Sequence, residues 1–140
     1  MRKLLVVTAL LLFAGIAFGQ TLNSGSIVVI IDYDVTLQPD VTFNQFLEFK
    51  KTTFNPKWEK LFPGTSVVGL VGDRGDRKYK YTELWIFDSL EIRDKFFPEE
   101  GIGLSALTEE QQNTYRMLIE EQSKYIIMGQ GGTSTDYKIQ

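Results

Sequence analysis

The feature that most constrains the fold is an alternating segment, residues 26–37. Each of its odd positions is apolar or aromatic, whereas its even positions after Ser26 begin with Val28 and Ile30 and continue through Asp32, Asp34 and Thr36. Side chains of a β-strand point to opposite faces in turn, so a period of two is typical of a strand with one face against a core. The segment therefore predicts a half-buried strand near the beginning of a layered domain.

Apolar periodicity and turn residues predict the elements that follow. We expect helices over residues 43–54 and 56–61, strands over 65–71 and 78–87, a helix from Asp88-Ser89 to Pro98, a longer helix from Thr108 to Gly129, and a last strand over 133–139. Two Thr-x-x-Gln pairs have the spacing of a capping box. The Asn55-Pro56 pair is expected to end the first helix, because a residue before proline avoids helical dihedrals.

The order strand, helix, strand, strand, helix, strand predicts an α+β fold. It is the βαββαβ order of a ferredoxin-like sandwich, with an antiparallel-dominated four-stranded sheet and helices on one face. Residues 20–140 form this single domain in our interpretation.

The first 19 residues have the pattern of a cleavable signal peptide. Arg2-Lys3 precede an apolar run, and the small residues Ala17 and Gly19 stand just before Gln20. A membrane anchor is the alternative, but the run is shorter than the roughly 20 residues that span a bilayer. We expect a periplasmic or secreted protein with no membrane attachment after cleavage.

Composition excludes several classes of chemistry. The chain carries 15 basic and 18 acidic residues, and without Arg2 and Lys3 the balance is 13 against 18, a net charge near −5 that opposes nucleic-acid binding. It has neither histidine nor cysteine. Serine–histidine and cysteine–histidine nucleophiles, histidine-based zinc or haem sites and disulfides are thus absent. We expect no cofactor and no metal ion.

The element order, together with the strand-to-helix stretch from Tyr79 to Gly101, resembles the dimeric α+β barrel superfamily. That stretch contains KYTELWIFDSLEIRDKFFPEEG. The superfamily includes antibiotic-biosynthesis-type monooxygenases, muconolactone-isomerase-like proteins and stress-responsive barrel proteins. The resemblance implies a homodimer in which two sheets pack face to face, with the ligand held in the cleft between sheet and helices or in the barrel interior.

The sheet face away from the helices is expected to carry the candidate site. If the first and third strands are parallel neighbours, one face brings together five ligand-binding candidates: Asp32, Asp34, Tyr81, Glu83 and Trp85. Clustered carboxylates raise one another's pKa and serve as a general base or hold a hard cation. In the alternative arrangement the aromatic residues of the third strand point toward the helices. A separate alternative for the carboxylates is an exposed acidic rim or cross-strand pairing with Lys80 and Lys78.

These observations lead to a small-ligand-binding or structural domain as the first interpretation. The second is a cofactor-independent monooxygenase or isomerase acting on a small aromatic or enolisable compound. The third is a protein-interaction module in an envelope complex.

Overall fold

The computed structural model describes residues 22–99, 101–127 and 132–140. The predicted signal peptide and Gly129, the predicted end of the last helix, lie outside these residues. The predicted length of that helix was nevertheless wrong, because it already ends at Ser123, and Ile126 instead pairs with Leu37 in an isolated bridge. The strands are β1 (Ile27–Tyr33), β2 (Thr65–Val71), β3 (Tyr81–Phe87) and β4 (Gly132–Lys138). The helices are α1 (Phe43–Phe49), a π-helical turn (Lys50–Phe54), α2 (Asn55–Leu61), α3 (Leu90–Phe96), a 3₁₀ turn (Leu104–Ala106) and α4 (Glu109–Ser123).

The four strands form one sheet in the order β2-β3-β1-β4, and every neighbouring pair is antiparallel. This is the predicted ferredoxin-like topology. The prediction that β1 and β3 run parallel was wrong. The helical crossover makes β1 and β2 parallel with a gap between them, and β3 returns from β2 by a hairpin into that gap, so it runs antiparallel to both.

The core lies between the helices and the odd-numbered side chains of β1 and β3. Trp85 is paired with Val29 and Phe87 with Ile27, so these residues point to the same face. All four belong to the buried cluster, which the helices complete with Phe49, Phe54, Trp58, Leu61, Phe62, Phe96 and Leu118. The prediction that Tyr81, Glu83 and Trp85 lie on the sheet face away from the helices was therefore wrong. The aromatic side chains point toward the helices, as in the alternative arrangement, and Glu83 is buried beside them rather than on an exposed rim.

The predicted break at Asn55-Pro56 was also wrong, because the chain stays helical from Phe43 to Leu61. A π-helical turn precedes the proline, and the N–H of Asn55 donates to the carbonyl of Lys50. The hydroxyl of Thr52 also donates to the carbonyl of Glu48, a contact that often bends helices. The wider turn thus brings Pro56 to the start of α2, where its missing N–H is tolerated.

The opposite face of the sheet, here called the open face, is formed by the even-numbered positions of β1, β2 and β3 and the odd-numbered positions of β4. Its exposed apolar side chains are Ile30, Val68, Leu70 and Tyr137. Val28 and Ile86 are paired on the same face and are buried. Within the described ranges, no helix is long and apolar enough to cross a membrane.

Candidate ligand cavity

A cavity of about 180 Å³ lies between the sheet and the helices. Its walls come from β1, β3, the π-helical turn and α4, and they are mostly aromatic or aliphatic. The residues that line the cavity include Tyr33, Lys50, Phe54, Trp58, Tyr81, Glu83, Trp85, Ile102, Tyr115 and Ile119. Ile102 is exposed, which places it at the outer end of the cavity.

Glu83 is the centre of the polar contacts in this cavity. It is 1% exposed, and alternate positions of β3 place it between Tyr81 and Trp85 on the same face. The phenol of Tyr81 donates to its Oε1 at 2.9 Å. The indole N–H of Trp85 donates to its Oε2 at 2.8 Å. Two donors from its own strand thus satisfy part of the hydrogen-bonding capacity of the buried carboxylate.

Lys50 supplies the opposite charge from the first residue of the π-helical turn. Its Nζ lies 2.7 Å from Oε1 of Glu83 and donates to Oε1 of Gln122 at 3.2 Å. The same ammonium lies 3.5 Å from the ring centroid of Phe54, within range of a cation–π interaction. A buried ion pair needs such additional contacts, because both charges have lost their hydration.

The protonation of the surrounding groups follows from burial. Burial lowers the pKa of Lys50, and the charge and hydrogen bonding of Glu83 oppose that change. Burial, followed by the charge and hydrogen bonding of Glu83, raises the pKa of both Tyr33 and Tyr81 far above the usual tyrosine range. Burial also raises the pKa of Tyr115. The three phenols therefore remain protonated at neutral pH and can donate hydrogen bonds.

Two buried polar atoms on α2 have no hydrogen-bond partner among the described residues. They are Nε1 of Trp58 and Oδ1 of Asn55. Trp58 is 3% exposed, stacks on Phe54 with ring centroids 5.3 Å apart and meets Trp85 edge-on at 5.3 Å. These ring contacts make Trp58 part of the packed core. Its unpaired indole N–H nevertheless leaves one donor available beside the cavity.

The five ligand-binding candidates do not form one cluster. Tyr81, Glu83 and Trp85 line the cavity. Asp32 lies on the open face, where it accepts a hydrogen bond from Thr82 at 2.6 Å. Asp34 is exposed and lies beyond the end of β1. The predicted clustering of these carboxylates was therefore wrong, because the register pairs Asp32 with Thr82 and Glu83 with Ile31, which places the two carboxylates on opposite faces of the sheet. No group of metal-ligating side chains occurs in the part of the chain that the structure describes.

Asp32 and Asp34 instead hold Arg77 from the loop between β2 and β3. The guanidinium Nε lies 3.2 Å from Asp32, and Nη1 lies 3.8 Å from Asp34. Its Nη2 donates to the backbone carbonyls of Tyr33 at 3.1 Å and Tyr81 at 2.8 Å. The two aspartates thus contribute to the cavity indirectly. They hold Arg77, which links β1 and β3 at the backbone of Tyr33 and Tyr81.

A second, wider space adjoins the cavity on the β4 side of the sheet. This cleft has a volume of about 630 Å³, and an ion pair between Arg93 of α3 and Asp136 of β4 lies at its border. Trp85 lines both spaces. Its indole is therefore a wall that they share.

Sequence reasoning did not select Lys50, Tyr33 or Trp58 as site residues. A usable signal existed for Lys50, since it is the one charged residue on the apolar stripe formed by Phe43, Phe46, Leu47 and Phe54. Glu83 likewise interrupts an otherwise aromatic strand face. A lone lysine and a lone glutamate on two core-facing surfaces indicate a buried ion pair, since neither charge is buried without a partner.

Comparison with known proteins gives similarity at the level of fold. The chain matches no model of a known protein family and no curated protein. Among solved structures, a dimeric protein of unknown function and ferredoxin-like fold from Bacteroides fragilis is 13% identical, with a TM-score of 0.44, and the match covers 83% of this chain and 98% of that one.

Two further solved structures give similar values. A NIPSNAP-like domain protein from Burkholderia xenovorans is 15% identical, with a TM-score of 0.49 and coverage of 84% of this chain and 88% of that one. An ethyl tert-butyl ether D (EthD) family protein from Bacillus halodurans is 18% identical, with a TM-score of 0.44 and coverage of 82% and 99%. At these identities and TM-scores, none of the three likenesses bears on the function of this chain.

Proposed function

We propose that this protein is an exported domain that binds a small, uncharged, single-ring compound in the cavity between its sheet and helices. The observation that carries the proposal is the buried Lys50–Glu83 ion pair at the wall of an otherwise aromatic cavity. Pockets that bind small molecules typically combine apolar walls with a few well-placed polar groups.

The volume supports a ligand with one ring. An empty apolar cavity of about 150 Å³ is large enough to hold benzene. The present cavity, at about 180 Å³, leaves room for a ring with one small substituent.

The charge balance supports an uncharged ligand. Lys50 and Glu83 neutralise each other, so a charged ligand would place an unpaired charge in a buried space, which is costly. A hydroxyl or carbonyl group, by contrast, can share the polar atoms of this pair, and an acceptor can receive the unpaired N–H of Trp58.

The proposal is tested by titrating phenol, benzyl alcohol and benzoate against the purified protein and recording tryptophan fluorescence. Trp58 and Trp85 line the cavity, so we expect phenol and benzyl alcohol to change the emission saturably, and benzoate to bind much more weakly. Ile119→Trp, which fills the cavity from α4, is expected to abolish binding. Met117→Trp, at an exposed position of the same helix, is the matched control.

Equal binding of benzoate and phenol, or undiminished binding by the Ile119→Trp variant, would contradict the proposal. Mass spectrometry of the bound compounds over hours separates binding from turnover. Appearance of an oxidised or isomerised product would replace the binding role with that of a cofactor-independent monooxygenase or isomerase.

The exported location is the second part of the proposal. It is supported by the cationic start, apolar run and small residues of positions 1–19. Amino-terminal sequencing of the protein recovered from the periplasm or medium of a bacterial host is expected to begin near Gln20. Recovery of the protein with Met1 intact would contradict cleavage.

The third part of the proposal is a homodimer formed through the open face. Exposed apolar side chains of β1, β2 and β4 share that face, and adjoining apolar side chains of this kind usually mark an interaction surface. A second copy of the chain presents the same apolar surface, so a two-fold interface covers both copies at once.

A further inference from the structure

We propose that Lys50 captures small aldehydes in the cavity as a protonated imine. This inference rests on the proposed function, since it concerns the same cavity, and it adds the chemical class of one group of ligands. Nothing in the binding proposal itself requires a covalent step.

The position of Lys50 is the first observation that supports this chemistry. It is the one buried lysine in the ranges 22–99, 101–127 and 132–140, with 5% of its surface exposed, and it lines the cavity. By contrast, the neighbouring Lys51 is exposed, and the side chain of Lys57 is 50% exposed in its ion pair with Glu121. An aldehyde carbonyl in the cavity therefore lies beside the amine of Lys50 and not beside any other described lysine.

The partners of Lys50 provide the proton transfers that imine formation requires. An ammonium group is not a nucleophile, but Glu83 lies 2.7 Å from Nζ and can accept its proton to leave a neutral amine. The other titratable groups at the cavity, Tyr33 and Tyr81 on the sheet and Tyr115 on α4, are protonated phenols. Burial lowers the pKa of Lys50, and so favours the neutral amine.

The reaction balances without an oxidant or another reagent. The neutral amine of Lys50 forms a bond to the carbonyl carbon, and a proton moves from nitrogen to oxygen to give a carbinolamine. The carboxylic acid of Glu83 then protonates the hydroxyl group, which leaves as water while the C=N bond forms. Lys50 becomes a positively charged imine, and Glu83 is again a carboxylate. The ion pair is thus preserved in the product, and only one water molecule is released.

The experiment incubates the purified protein with benzaldehyde and sodium cyanoborohydride, which reduces the imine to a stable amine. Intact-mass measurement and peptide mapping then locate the benzyl group. We expect one benzyl group on Lys50 at a reagent concentration that leaves Lys51 and Lys57 unlabelled. Lys50→Arg, which keeps the positive charge, is expected to lose the label, and Lys51→Arg to retain it. Excess phenol is expected to prevent labelling by occupying the cavity.

Three outcomes would overturn the inference: equal labelling of exposed lysines, undiminished labelling of the Lys50→Arg variant, or labelling that excess phenol does not reduce. The fluorescence titration distinguishes its failure from failure of the proposed function. If phenol binds but benzaldehyde leaves no label on Lys50, only the covalent step is wrong. If phenol does not bind either, the binding proposal fails as well.

Discussion

Glu83 accepts hydrogen bonds from Tyr81 and Trp85 and forms an ion pair with Lys50. The polar contacts of the cavity therefore depend on its negative charge. Glu83→Gln removes that charge and leaves Lys50 buried without a counter-ion. We expect a loss of about 3–5 kcal/mol in the free energy of unfolding, the usual cost of breaking a buried pair from one side.

The double variant Lys50→Met/Glu83→Gln is expected to recover most of that loss, because no unpaired charge remains in the cavity. Urea unfolding of both single variants and the double variant measures the coupling between the two residues. If the two single losses simply add in the double variant, the ion pair does not have the energetic role proposed for it.

The buried tyrosines predict a loss of stability in alkali. The pKa of Tyr33 and of Tyr81 is raised in the folded state, so their contribution to stability is intact below the unfolded value of about 10 and declines above it. Each tyrosine that ionises only on unfolding adds about 1.4 kcal/mol per pH unit to the decline. The pKa of Lys50 is lowered, so it acts in the opposite direction, but only up to its unfolded pKa of about 10.4.

Between about pH 10.5 and 11.5, chemical denaturation therefore measures the contribution of the tyrosines to the change of unfolding free energy with pH, without the opposing contribution of Lys50. Tyr81→Phe is expected to reduce the slope of unfolding free energy against pH by the contribution of one proton, whatever its effect on stability at neutral pH. Equal slopes for the variant and the parent protein would show that Tyr81 ionises similarly in both states.

Part of the cavity could be predicted residue by residue. Tyr81, Glu83 and Trp85 were expected to share a face from their spacing alone, and they do. Asp32 was misplaced because its pairing register and direction relative to β3 depend on how the chain crosses over, which local spacing does not encode. Lys50 was visible as an exception in an apolar stripe, but its partner lies on a strand distant in the sequence.

At the level of elements, α4 supplies Tyr115 and Ile119 to the cavity, and its first turn is held by a capping box between Thr108 and Gln111. Thr108→Ala removes the acceptor for the N–H of Gln111, so we expect a loss of about 1 kcal/mol in unfolding free energy. Thr114→Ala, in the interior of the same helix and exposed, is the matched control and is expected to be neutral or slightly stabilising. Equal losses for both variants in urea unfolding would contradict the role of the cap.

Both predicted capping boxes are present because a cap is a contact between residues three apart in the sequence. The π-helical turn was not predicted, since the Asn55-Pro56 pair looks like a helix end when it is considered alone. The preceding turn widens to accommodate the proline, and the tertiary contacts of Phe54 and Trp58 hold the chain in helical form. This same turn positions Lys50, so the element that sequence reasoning missed is also the one that completes the ion pair.

At the level of the whole molecule, the proposed dimer forms through the open face. A charge introduced on that face is therefore expected to change the mass of the protein in solution. Leu70→Lys places a charge on that face, where it would be buried in the interface, and we expect the protein to become a monomer. Met117→Lys, at an exposed position on α4, is expected to leave the dimer intact. Light scattering coupled to size-exclusion chromatography measures both, and a monomeric parent protein or a dimeric Leu70→Lys variant would exclude this interface.

The fold as a whole was predictable because the order of elements admits few topologies. Short right-handed crossovers and one hairpin leave β3 between β1 and β2, as observed. The direction of β3 follows from the same topology, but the register that pairs Asp32 with Thr82, and so places it on the face opposite to Glu83, does not. The volume of the cavity, in contrast, depends on the packing of many side chains and is not encoded in any single pattern.

Trp85 lines both the cavity and the wider cleft, and this has a consequence for the size of compounds that the proposed site accepts. A two-ring compound that extends from one space into the other past this side chain displaces the indole and breaks its hydrogen bond to the Glu83 carboxylate. A hydrogen bond to a charged group contributes about 1.5–3 kcal/mol. For a compound that must displace the indole, we therefore expect binding roughly ten- to a hundredfold weaker than for a single-ring compound.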